Sequence, residues 1–171
     1  MSPSLLQVAV VHPDDPRAAP LFAELAVEYD RRYGDLFGGA TEELTRYPAW
    51  QFTAPHGAFL LLLEDDVAVA GGALKPHPTA GTLEVKRMWT AAPHRRRGLA
   101  RRVLAELELI AVQRGATRIF LTTGPRQPEA RDLYLAAGYA PLFDGPRPTD
   151  TETLRALPVA ERIYPFEKDL R

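Results

Sequence analysis

VKRMWTAAPHRRRGLARRVLA, residues 85–105, carries Lys86, Arg87, Arg95, Arg96, Arg97, Arg101 and Arg102 without one acid, in a chain whose net charge is -1. Positive charge is gathered at one place. An apolar-rich extended run (Leu83, Val85, Met88, Trp89) precedes Arg95-Arg96-Arg97-Gly98-Leu99-Ala100, and a helical pattern (Leu99, Val103, Leu107, Ile110) follows. Strand, short basic loop and helix in that order make an anion site. The first turn of a helix leaves backbone N–H groups without intrahelical partners, and the aligned peptide dipoles add partial positive charge there. Gly98 and Ala100 let a ligand oxygen approach the main chain, while the arginines add attraction and forked hydrogen bonds.

Outward from this stretch, the pattern predicts strands and helices on both sides. Residues 5–11 read as a first strand ended by His12-Pro13, and Leu21, Phe22, Leu25, Ala26 and Tyr29 recur at helical spacing up to Gly34. Thr41, with Glu42 and Glu43 behind it, opens a short second helix limited by Pro48. Residues 58–63 are apolar on both faces, as in a central strand, and Asp65-Asp66 turns into a second arm starting at Val67. Gly71-Gly72 in that arm signals a bulge or a close backbone approach. Residues 82–90 form the strand before the basic loop, and residues 99–114 the helix after it, closed by Gly115. Residues 117–123 read as a strand, 128–137 as a helix capped by Gly138, and 139–143 and 162–166 as final strands around a proline-containing loop at 145–150. A helix between strands 82–90 and 117–123 implies that these two run parallel; the remaining pairings are antiparallel.

Length and composition narrow the function classes. A chain of 171 residues suits one compact domain, residues 1–171, since about two thirds of its surface is buried at this size. Hydrophobic content of 46% and charged content of 25% are ordinary for a globular protein, and the near-zero net charge gives no sign of a nucleic-acid or membrane partner. With no cysteine, an acyl-cysteine intermediate, disulfides and Cys-type zinc sites are excluded. His12, His56, His77 and His94 lie in loop contexts without metal-ligand spacing, so no metal is expected. The N-terminus MSPSLLQVAV lacks a basic start and no apolar run spans a bilayer, which makes a cytoplasmic location the expectation.

Residues 95–100 fit the signature of the GNAT acetyltransferases: Gln or Arg, two residues, Gly, one residue, then Gly or Ala. The chain resembles that family from about residue 82 to residue 139, through the strand "EVKRMWT", the basic loop, the amphipathic helix, a second apolar strand, and a short helix carrying Tyr134 before Gly138-Tyr139. The resemblance implies an α+β fold: a mixed, mostly antiparallel sheet flanked by helices, with one parallel strand pair splayed around the acyl-coenzyme A site. It also implies acetyl-coenzyme A as donor. Main-chain groups at Met88, Trp89 and Thr90 would pair with pantetheine amides, and the loop Arg95, Arg96, Arg97, Gly98, Leu99 and Ala100 would take the pyrophosphate. Where many members place an Asn that contacts the cofactor, this chain has Gln127.

Transfer of an acetyl group from a thioester to an amine needs a proton for the departing thiolate and a group that deprotonates the amine. By the resemblance Tyr134 is the acid; alternatively it packs in the core, and both roles are compatible. Glu84 is the candidate base, four residues before Met88 and so expected on the same strand face; its bland alternative is pairing with Lys86 or Arg87. The resemblance also places the acceptor, a small-molecule or peptide amine, near residues 29–50, where Tyr29, Arg32, Tyr33, Arg46 and Trp50 are candidates; their alternative is ordinary helix surface and core. A homodimer through the C-terminal strands is the assembly the resemblance suggests. The reading is thus an acetyl-coenzyme A-dependent N-acetyltransferase acting directly on a primary amine. Two alternatives stand beside it, a non-catalytic acyl-coenzyme A-binding module and an RNA-associated basic protein, the latter weakened by having only Trp89 among the basic residues.

Overall fold

The computed structural model describes residues 4–171. Its centre is one seven-stranded sheet in the order β1-β2-β3-β4-β5-β7-β6. The strands are β1 (Leu6–Val10), β2 (Ala58–Glu64), β3 (Val67–Pro76), β4 (Thr82–Thr90), β5 (Arg118–Thr123), β6 (Ala140–Pro141) and β7 (Tyr164–Asp169). Between them run α1 (Ala19–Tyr33), α2 (Ala40–Thr45), α3 (Leu99–Gln113), α4 (Pro128–Ala136) and α5 (Thr151–Ala156). All neighbouring strands are antiparallel except β4 and β5, which are parallel as the intervening helix requires.

The sheet separates two apolar layers, and β2 shows why its sequence is apolar throughout. Leu60 and Leu62 join Val103, Leu107, Ile119 and Tyr134 on the α3 and α4 side, whereas Phe59, Leu61 and Leu63 join Leu21, Leu25 and Trp89 on the α1 side. A strand sandwiched in this way has no solvent face to mark with polar residues. Asp65 and Asp66 make the β2–β3 turn with positive φ at both, 51° and 63°, the geometry whose twist suits a two-residue hairpin.

Near the C-terminus the structure differs from the sequence expectation. The strand expected over residues 139–143 is reduced to β6, two residues at the sheet edge: Leu142 N still donates to Pro165 O at 2.9 Å, but Pro165 has no N–H to return the bond. The final strand lies later than residues 162–166, at β7. Between them the sequence reading has no element, yet α5 forms with Asp150 accepting a hydrogen bond from Thr153 N at 2.8 Å, and its Leu154 packs fully buried against Tyr33 and Leu36.

Candidate active site

β4 and β5 stay paired for only three residues: Thr82 with Arg118, Leu83 with Ile119 and Glu84 with Phe120. Beyond Glu84 the two strands part. β5 continues against β7, and the end of β4 pairs with β3 alone, so the side of Met88–Thr90 that faces β5 has no neighbouring strand (residues 88–90). At the mouth of this wedge stands the N-terminus of α3. Gly98 caps it at φ 73°, with no side-chain cap and no acid in the first turn, and Arg96 at φ 64° turns the loop just before. The exposed N–H groups of that turn are thus left for an external acceptor.

A bulge reshapes β4 just before the wedge. Ala73 pairs with Lys86 and Gly71 with Trp89, so Gly72 opposes both Arg87 and Met88, and Arg87 adopts φ 61°. The expectation that Glu84 and Met88 share a face is therefore corrected. Met88 turns into the α3 layer beside Val103 and Leu107, while Arg87 turns to the α1 and α2 side, where Glu84 and Lys86 already point. Trp89 belongs to the α1 layer and donates its indole N–H to Glu24 Oε2 at 2.5 Å.

A cleft of about 980 Å³ runs through the wedge and brings together most of the residues singled out from sequence. Met88, Trp89, Thr90, Arg95, Arg96, Gly98, Leu99, Ala100, Gln127, Glu84 and Tyr134 all line it. Arg97 does not: its guanidinium lies 2.8 Å from Glu64 and 2.7 Å from His94 Nδ1, so only its main chain belongs to the loop. Gln127 stands at the N-cap position of α4 without capping it by its side chain; its Oε1 accepts from the Tyr33 hydroxyl at 3.0 Å and from Gly124 N at 3.3 Å. Its carbonyl end is occupied; the NH₂ end remains for a ligand.

Tyr134 combines its two readings. Its ring packs on Tyr139 and Phe166, with centroids 5.9 and 5.8 Å away, yet the residue also lines the cleft. Burial, with a smaller effect from Tyr29, pushes its phenol above the ordinary tyrosine value. It is therefore protonated at neutral pH and able to donate. Glu84, 8% exposed, points into the cleft with Oε2 3.3 Å from Lys86 Nζ and Oε1 3.9 Å from Lys75 Nζ. Of the two pairings weighed for Glu84, the one with Lys86 forms and the one with Arg87 is absent among the described residues; Arg87 pairs with Glu43, at 3.7 Å, and donates to the Glu43 main-chain oxygen at 2.9 Å.

Of the acceptor-side candidates, Tyr29, Arg32, Tyr33 and Arg46 reach the cleft, and Trp50 stands outside it against His56. Burial pushes the Tyr29 hydroxyl up to about 12. Arg32 straps α1 across to the segment after β5: it donates to Arg126 O at 2.6 Å, and Arg126 donates back to Arg32 O at 2.5 Å. Glu43, Lys75 and Tyr47, which the sequence does not mark as site residues, meet Glu84, Lys86 and Arg87 here. One signal is the pair of charges at 84 and 86, alternating with the apolar Leu83 and Val85. Among the described residues no group of His, Cys, Asp or Glu could hold a metal ion, and no helix is long and apolar enough to cross a membrane.

Comparison with known proteins agrees with this geometry. The chain matches the acetyltransferase (GNAT) family over residues 11–139. No curated protein matches it. Among solved structures it is similar to an acetyltransferase of the GNAT family from Staphylococcus aureus (TM-score 0.72, 11% identity, covering 98% of this chain and 100% of that one). It is also similar to an acetyltransferase from Thermus thermophilus (TM-score 0.67, 20% identity, 99% of each chain). A third is N-acetylglutamate synthase from Neisseria gonorrhoeae complexed with coenzyme A and N-acetyl-glutamate (TM-score 0.66, 16% identity, 99% of this chain but 36% of that one). These likenesses carry the fold. The family match, which takes in the wedge, the basic loop and Tyr134, carries the assignment: the protein belongs to the GNAT acetyltransferase family and is an acyltransferase.

Proposed function

We propose that residues 1–171 act as one N-acetyltransferase domain that moves an acetyl group from acetyl-coenzyme A directly to a primary amine. The observation that carries this reading is the parting of β4 from β5 after Glu84, with the uncapped end of α3 at its mouth. An extended pantetheine arm with its amides fits main-chain groups left without a strand partner at residues 88–90. The pyrophosphate fits the first turn of α3, with Arg95, Arg96 and Arg101 lining the same end of the cleft.

Chemistry then follows from positions along the cleft. A primary amine arrives as ammonium and gives one proton to Glu84, and its lone pair attacks the thioester carbonyl carbon. As the carbon–sulfur bond breaks, the Tyr134 hydroxyl gives its proton to sulfur, and the proton then shed by the amide nitrogen restores the phenol. The products are the N-acetyl amide, coenzyme A with a free thiol and one proton, which Glu84 releases to solvent. With no cysteine in the chain, direct transfer in a ternary complex is the fitting route.

Thiol release from acetyl-coenzyme A across an amine panel, beside calorimetry with coenzyme A, tests the reading. Acceptor-dependent thiol release that Glu84→Gln lowers on the acid side of its pH profile supports it. Tight donor binding without turnover of any amine favours a binding module, and no binding of coenzyme A refutes both.

A further inference from the structure

Around the end of the cleft between α2 and β4 stand five charged side chains largely removed from water, three of them cationic; four line the cleft and Lys75 lies behind them. Lys86 stands 3.3 Å from Glu84 and 3.8 Å from Glu43; Lys75 stands 3.9 Å from Glu84, and Arg87 3.7 Å from Glu43. Arg46 approaches Glu43 from the rim at 3.3 Å, and the exposed Glu42 offsets it at 3.8 Å. The buried set, Lys75, Lys86, Arg87, Glu43 and Glu84, therefore keeps one positive charge without a counterpart. An unmatched charge out of water is unfavourable and is relieved by an anion brought from outside.

Hydrogen bonding shows where such an anion would settle. Arg87, its side chain 2% exposed, is tied to the Glu43 main chain at 2.9 Å and lies over the Phe52 ring. Lys75 donates to Pro76 O at 2.8 Å and sits 4.5 Å above the Tyr47 ring. Lys86 is different. Its carboxylate neighbours at 3.3 and 3.8 Å are beyond the 2.7–2.9 Å of a close ammonium–carboxylate bond, and of the two lysines it is the one that lines the cleft. Its side chain is 17% exposed, so the ammonium is reachable from the cleft while shielded from bulk solvent.

Phosphate charge of the donor belongs to the opposite end, at α3, so the anion here is one that the acceptor brings. Resting on the acetyltransferase reading, we propose that the acceptor is an amine that also carries a carboxylate, of the α-amino-acid type, with its carboxylate on Lys86 and its ammonium on Glu84. The 3.3 Å Lys86–Glu84 pair presents the two opposite charges side by side, as a small zwitterion requires. Polyamines and other polycationic amines would meet Lys86, Arg87 and Lys75 with like charge and are disfavoured.

The test compares matched pairs on the wild-type protein: each common α-amino acid against the amine left when its α-carboxylate is removed (phenylalanine and phenethylamine, glutamate and 4-aminobutyrate), with putrescine as the polycationic probe. Expected is a kcat/KM at least tenfold higher for an amino acid than for its matched amine. Lys86→Met abolishes that ratio chiefly through KM for the acceptor, and Lys86→Arg retains it. Turnover of phenethylamine or putrescine as efficient as that of the amino acids overturns the proposal, as does a ratio that survives Lys86→Met. Should no probe be turned over, saturation-transfer NMR on the coenzyme A-loaded protein decides. Binding of amino acids but not of their matched amines supports the proposal; no binding of any amino acid overturns it. The calorimetric donor affinity measured in parallel separates the two failures: intact coenzyme A binding without amino-acid binding sinks only the acceptor proposal, whereas loss of coenzyme A binding sinks the acetyltransferase reading beneath it.

Discussion

Replacing Gly72 with alanine tests the packing that shapes the donor wedge. A methyl group at this position would stand 2.8 Å from Met88 Sδ, 2.9 Å from Val103 Cγ1 and 3.1 Å from Leu107 Cδ1. Ordinary carbon contacts are about 3.5–4.0 Å, so all three neighbours must retreat by roughly half an ångström or more. Met88 can bend at its thioether, but Val103 is β-branched on a helix and has one comfortable rotamer. Overpacking of this kind costs about 1–3 kcal/mol. Taking about 2 kcal/mol, a chain of this size loses about 4–8 °C in Tm. Since Gly72 lies opposite the Arg87–Met88 bulge, part of the strain passes into β4. If about 1 kcal/mol of it reaches the coenzyme A-bound state, affinity falls about fivefold. Calorimetric melting and coenzyme A titration read the two effects. A Gly72→Ala protein that melts within about 1 °C of wild type and binds coenzyme A unchanged would show that the β3–α3 contact is not tight, and the reasoning would fail.

Three further outcomes follow from the same geometry. Gly98→Ala meets open space, so its cost is the left-handed φ of 73°, about 1–2 kcal/mol. Melting should fall by only a few degrees while coenzyme A affinity falls more than in Gly72→Ala, as paired melting and titration would show. Tyr134→Phe keeps the ring packing and removes the proton donor, so kcat should fall about 10²–10⁴-fold with little change in donor KM, read by steady-state thiol release. Arg155, 2.9 and 3.2 Å from Asp35, holds the Asp35 carboxyl below its ordinary value. A lowered carboxylate stabilises above the unfolded value and loses that contribution as pH falls through the folded one, so Asp35→Asn should lower Tm at pH 7. The two proteins should converge as pH falls through the lowered Asp35 value, and high salt should narrow the gap at neutral pH.

Local chemistry written in single residues was legible. The both-sided apolarity of β2, the Asp65-Asp66 turn, Gly98 at the start of α3 and Gly115 with positive φ after it each state a backbone or burial requirement in the residue itself. What escaped depends on relations between distant segments. Gly71-Gly72 did announce a close approach, yet the residue it accommodates is Met88 on the neighbouring strand, and nothing in residues 84–90 marks Arg87 as the one that takes φ 61°. Asp150 was a readable helix cap, but α5 is six residues long and too short to show a period; it exists because Leu154 fills a gap beside Tyr33 and Leu36. Glu43 read as a first-turn acid of α2, and only the packing of α2 over β4 makes it a partner for Lys86 and Arg87.

The shift at Arg87 explains why donor and acceptor elements can share one strand. Had strict alternation continued from Val85, the α3 layer would have received Arg87 and Trp89, and a guanidinium would lie among Val103, Leu107 and Ile119 with no carboxylate nearby. Burying it unpaired would cost several kcal/mol. The extra residue exchanges the two: Met88 enters the apolar layer and Arg87 reaches Glu43. The backbone strain of a non-glycine residue at φ 61°, about 1–2 kcal/mol, is smaller than the penalty avoided. Because β5 has already left β4 by this point, the main chain beyond the bulge has no strand neighbour on that side and is open to a ligand. The charged floor on one face is therefore the consequence of a single inserted residue, set beside an edge that the earlier departure of β5 leaves open, and moving the bulge would take Arg87 from Glu43 without closing that edge.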